Sequence, residues 1–81
     1  MLPTSRGKGH RLIGKTGRVT GTIGPGKVGE ILVSIRGGVE AFYAHAQDPE
    51  EEIPIGIQVL VVDFQPPRTV YVERWSTSQF R

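Results

Sequence analysis

Residues 17–30 read GRVTGTIGPGKVGE, with five glycines and Pro25 in fourteen positions. Inside a helix each glycine costs roughly 1 kcal/mol relative to alanine, and a proline about 3. No helix therefore runs through this region. Val19, Thr20, Thr22 and Ile23 are β-branched and favour extended backbone instead. Nothing elsewhere in the 81 residues carries a convincing helical periodicity.

Five strand-like runs are separated by turn chemistry. The first covers residues 16–23 and ends at Gly24-Pro25-Gly26. In the second, residues 30–36, Ile31, Val33 and Ile35 alternate with Glu30, Ser34 and Arg36, which predicts one buried and one wet face. Gly37-Gly38 reads as a two-residue hairpin turn. The third run is 39–46, and an acidic loop follows at 48–52. The fourth, 57–64, is nearly all apolar and predicts a central strand covered on both faces. Gln65-Pro66-Pro67-Arg68 turns the chain into the fifth, 69–75.

Eighty-one residues make one small domain. The chain has no cysteine, so neither a disulfide nor a cysteine-based metal site supports it. Five short strands must hide their edges, and closure does so economically. The expected fold is all-β: a small five-stranded antiparallel OB-like barrel lacking the usual helix, because residues 47–56 hold two prolines and three consecutive glutamates. An SH3-like barrel is the alternative. The expected organisation is a basic flexible lead-in at 1–11, the barrel at 12–75 and a polar tail at 76–81.

Two motifs point to nucleotide chemistry and fail on context. GHRLIGKT, residues 9–16, matches the phosphate-binding G-x-x-x-x-G-K-[ST] loop, and Val59-Leu60-Val61-Val62-Asp63 resembles its magnesium-binding partner strand. That loop needs a buried strand before it and a helix starting at the Lys-Thr. Upstream lies MLPTSRGK, polar, basic and broken by Pro3; downstream lies the glycine-rich stretch. No nucleotide is expected. The histidines His10 and His45 lack ligand spacing for zinc, Glu50-Glu51-Glu52 lacks the spaced carboxylates of a calcium loop, and Ser5, Ser34, Ser76 and Ser78 lie in no nucleophile motif. No catalytic residue, metal or cofactor is expected.

Charge is more informative. Residues 1–36 carry seven cations against Glu30, a net of +6, whereas residues 37–81 carry a net of −4. Arg6, Lys8, Arg11, Lys15 and Arg18 precede any acid, which suggests an anionic neighbour such as a lipid surface or nucleic acid. Phe42 and Tyr43 are adjacent in a strand and must face opposite sides. Tyr71, Glu73 and Trp75 share one face of the last strand, Val70, Val72 and Arg74 the other. Phe42, Tyr43, Tyr71 and Trp75 are the candidate partner-binding residues, weighed equally against a role in covering a barrel end.

The order GKTGRVTGTIGPGKVGEILVSIRG, YAHAQD, IPIGIQVLVVDF, VYVERW resembles the C-terminal soluble domain of NfeD-type membrane proteins. The matching elements fall at residues 14–22, 25–28, 43–46, 53–61 and 70–73. The acidic loop at 48–52 is longer than the family pattern. The resemblance implies a helix-free OB-like barrel tethered through a transmembrane region outside this sequence. It also implies a protein partner, either a stomatin- or flotillin-like membrane protein or a membrane protease whose activity is regulated. The expected function is thus a non-catalytic interaction module, with the basic residues membrane-proximal and the domain on the cytoplasmic face. The alternative is a nucleic-acid-binding OB-type barrel. It is disfavoured because the basic residues sit early and Tyr71 and Trp75 sit late among acids.

Overall fold

The computed structural model describes residues 11–75. Strands β1 (Thr16–Gly21), β2 (Gly29–Ile35), β3 (Gly38–Ala46), β4 (Gln58–Gln65) and β5 (Thr69–Arg74) close into a barrel in the order β1-β2-β3-β5-β4. Four pairings are antiparallel, as expected, and β3 with β5 is parallel. Parity requires the exception. Directions cannot alternate around a ring of five, so at least one neighbouring pair must run the same way.

Side-chain alternation turns the branched residues inward. Val19, Ile31, Val33, Ala44, Val59, Val61, Val70 and Val72 are all fully buried. Each Val or Ile removed from water contributes about 1.5–3 kcal/mol. Among the described residues no polar or charged side chain is buried. Gly29 allows the close approach of β2 to the chain leaving β1: a Cβ there would strike the Ile23 side chain and lie 2.8 Å from the Gly21 carbonyl oxygen.

The two ends of the barrel differ. At one end the β1–β2 connection and the 47–57 segment meet. Ile23 and Ile53 exchange backbone hydrogen bonds of 3.0 and 2.8 Å, and both side chains are buried. This pair seals the end in the loop where no helix was expected. At the other end lie the β2–β3 hairpin, the β4–β5 turn and a helical turn at Arg11 and Leu12. Leu12 is buried, and the Gly14 N–H donates to the Val61 carbonyl at 2.8 Å, so the barrel takes in residue 12 as its first core member. β1 begins at this second end and β5 finishes at the first. The lead-in through residue 10 and the tail at 76–81 lie outside the described residues.

Two details of the sequence reading are corrected. The hairpin turn is Arg36-Gly37, not Gly37-Gly38: Ile35 pairs with Gly38, and Arg36 has φ 29° and Gly37 φ 80°. Two positive φ values define the turn that suits strand twist, and an arginine occupies the position where Asn or Gly is usual. The fourth strand is not covered on both faces. Val59 and Val61 point in, Leu60 and Val62 are half-buried outside, and the register with β5 shifts between Val61 and Asp63. A β-bulge at Val62 changes the phase, so Phe64, opposite Val70, again turns inward.

Candidate partner-binding surfaces on the barrel

The outer wall carries aromatics on the parallel pair. Tyr43 faces out from β3, 57% exposed, opposite Glu30 of β2 and Thr69 of β5. Two residues on, His45 lies opposite Tyr71, with ring centroids 5.6 Å apart. The Tyr71 hydroxyl donates to Gln65 Oε1 at 3.2 Å. Trp75, past the end of β5, is 37% exposed, and its backbone N–H donates to the Gln58 carbonyl at 2.9 Å. Acids accompany these rings: Glu30 on β2, Asp63 opposite Tyr71, and Glu73 between Tyr71 and Trp75. Phe42 does not belong to this wall. It points into the core and is 5% exposed.

Phe42 instead forms the floor of the open mouth. A recess of about 240 Å³ opens there, with Leu12, Ile35, Phe42, Phe64 and Pro67 as its apolar lining. Four cations edge it: Arg11 and Lys15 beside the helical turn, Arg36 at the hairpin tip, and Arg68 in the β4–β5 turn. Arg68 is fixed in place. Its guanidinium carbon lies 4.8 Å from the Phe42 ring centroid, and Nε and Nη2 donate to the Ala41 carbonyl at 3.2 and 2.8 Å. The same nitrogen, Nη2, reaches Glu40 Oε1 at 3.3 Å. Cation over ring and fork to carbonyl together hold the side chain against Phe42 and β3 at the edge of the opening.

Of the five early basic residues, Arg11 and Lys15 come together at this mouth, while Arg18 stands on the wall of β1 between Leu32 and Gln58. Arg6 and Lys8 lie outside the described residues, as does His10. Arg36, Arg68, Ile35 and Phe64 were not singled out from sequence. Strand direction carries the missing signal. Successive strands reverse, so the turns after β2 and β4 fall at one end, and a cation in each turn meets the other there.

The NfeD C-terminal domain family profile matches residues 16–73, most of the chain and all but the last residue of its strands. The chain belongs to that family. A comparison with curated protein sequences finds no match. Among solved structures, this NfeD domain is similar to the C-terminal domain of stomatin operon partner protein 1510-C from Pyrococcus horikoshii. The two are 31% identical over 84% of this chain and 94% of that one, with a TM-score of 0.68. It is similar to the soluble domain of the NfeD protein YuaF from Bacillus subtilis, at 26% identity over 85% of this chain and 83% of that one, TM-score 0.69. It also shares its fold with the soluble domain of a Corynebacterium glutamicum membrane protein implicated in regulation of membrane protease activity. Identity there is 24% over 83% of this chain and 97% of that one, with a TM-score of 0.69.

In this NfeD domain the segment after Lys15 is β1, so the phosphate-loop pattern leads into a strand where nucleotide binding needs a helix. Among the described residues no three His, Asp or Glu side chains gather into a metal-binding group, and no helix is long and apolar enough to cross a membrane.

Proposed function

We propose that the domain is a non-catalytic interaction module: the soluble part of an NfeD-type membrane protein that engages a stomatin- or flotillin-type partner and takes part in regulating a membrane protease. The observation that carries this reading is the aromatic wall. Tyr43 stands open beside His45 and Tyr71 on two adjacent strands, and exposed aromatics on a rigid sheet are favourable anchors for a partner. The relatives support the choice of partner, since one is named for a stomatin operon and another for membrane protease regulation. The nucleic-acid alternative needs aromatics set in a basic groove. Here Tyr43 and Tyr71 have Glu30 and Asp63 as strand neighbours, while the cations gather at the mouth.

A photo-crosslinking residue in place of Tyr43, in the full-length protein in its native membrane, tests the reading. Capture of one defined membrane protein, lost on Tyr71→Ala, is the expected result; capture of single-stranded nucleic acid, or of nothing, overturns it.

The same reading places the domain on the cytoplasmic face, tethered through a transmembrane region outside this sequence. Arg6, Lys8, Arg11, Lys15 and Arg18 support it, because lysine and arginine close to a span bias that flank inward. A reporter fused after Arg81 checks the orientation. Alkaline phosphatase is expected to stay inactive there, and activity would put the domain outside.

A further inference from the structure

We infer that the basic mouth is a docking pocket for a short acidic segment of a partner protein, with one apolar side chain seated in the recess and carboxylates on the rim. The inference rests on the interaction-module reading and adds a second, chemically distinct site to it. Apolar floor and charged rim have to be explained together. Phe42 and Leu12 form a floor that is nearly buried, and Ile35 and Phe64 are half-buried beside it. Around them stand Arg11, Lys15, Arg36 and Arg68 against one carboxylate, Glu40, already bonded to Arg68. The recess, about 240 Å³, is smaller than the roughly 300–1,000 Å³ pockets that enclose a whole small-molecule ligand. It suits a single side chain.

The Arg36 backbone points the same way. A residue with positive φ outside glycine is strained, and such strain persists where the side chain is put to use. Asparagine or glycine would relax this turn. An arginine there places a cation on the rim of the recess.

The shape favours a peptide over a bilayer. A flat lipid surface meets protruding groups; among the described residues Ile13, 45% exposed by the helical turn, and Val39, 61% exposed beside the hairpin, protrude at this end, whereas the apolar floor between the four cations is recessed. A second copy of this chain offers acids at residues 48–52 with exposed Ile55 beside them. Two of those acids are already committed, Glu51 to Arg74 and Glu52 to Lys27. A separate partner brings its carboxylates unpaired.

The test uses amide NMR spectra of the 81-residue chain and three capped hexapeptides. One has a Leu-Phe pair flanked on each side by two glutamates; the second has lysines for the glutamates; the third has two glycines for Leu-Phe. The acidic apolar peptide is expected to shift Ile35, Arg36, Phe42, Phe64 and Arg68 at low salt, less so at about 0.15 M salt, where screening sets in. The other two peptides are expected to leave them in place. Arg36→Asn, which keeps the turn, is expected to weaken binding roughly two- to fivefold, the range for a solvent-exposed ion pair. Lys15→Gln added to it is expected to weaken binding further. Silence of the mouth towards the acidic apolar peptide overturns the inference, as does an equal response to the glycine version. Shifts produced by phosphatidylglycerol vesicles but not by peptide assign the mouth to the bilayer instead. Shifts that grow with protein concentration alone assign it to a second copy. Failure here leaves the wall reading standing if Tyr43 still captures a membrane protein, and failure of that capture leaves a peptide-responsive mouth standing alone.

Discussion

The two ends of this barrel are built from the same five strands and treat charge in opposite ways. At the sealed end every described cation has a carboxylate. Arg74 Nε donates to Glu51 Oε2 at 2.8 Å and its Nη2 to the Glu52 carbonyl at 3.0 Å, and Lys27 lies 3.6 Å from Glu52. Behind these pairs Ile23 and Ile53 close the interior. At the mouth, among the described residues, Arg68 alone of four cations has a carboxylate partner, and the apolar interior stays accessible. Neutralised charge over a plugged core serves stability. Unneutralised charge around a recess leaves interaction energy unused within the domain.

The contrast breaks most visibly at the plug. Ile53→Ala removes a fully buried side chain at the sealed end and is expected to cost about 2–5 kcal/mol. That is a large share of the stability of so small a domain. Ile35→Ala, at the half-buried mouth, is expected to cost clearly less. Urea denaturation of both variants checks this, and equal losses would show that the mouth is as much a structural plug as the other end.

A smaller effect of opposite sign is expected at the hairpin. Arg36→Asn places a residue favoured in positive-φ turns where arginine is strained, and should raise stability by about 0.5–1 kcal/mol. Thermal melting decides it; a lower midpoint would mean that Arg36 contributes contacts that outweigh its backbone.

The smallest effect belongs to the paired end. Both members of Lys27–Glu52 are more than half exposed, so Lys27→Ala should change stability by about 0.2–1 kcal/mol at most. It should change less as salt rises. A larger loss, insensitive to salt, would show that the lysine stem packs as well as pairs.

Alternation made much of this architecture readable. Ile31 and Val33 of β2 are buried as their spacing required, and Val70 and Val72 turned inward, leaving Tyr71 on the wall. The fourth strand misled because an apolar run with a bulge at Val62 has the same composition as a run buried on both sides. The hairpin was displaced by one residue because Gly37-Gly38 satisfies the turn preference better than Arg36-Gly37 does, and the β2–β3 register, with Ile35 opposite Gly38, overrode it. Phe42 and Tyr43 had to diverge, but adjacency alone could not say which entered the core. The mouth was hidden for a different reason. Its lining comes from residues as far apart as Arg11 and Arg68, and only the directions of β2 and β4 bring them to one opening.

Because β1 starts at the mouth and β5 finishes at the sealed end, a pull on the two ends of the folded chain runs along the barrel rather than across it. Each terminal strand is then drawn lengthwise past two neighbours, β1 past β2 and β4, and β5 past β3 and β4. Under that geometry the ladder bonds of a strand share the load and must fail together, instead of opening one at a time from a free end. Pulled by its two ends, the domain would behave as a stiff link that passes tension on before it yields.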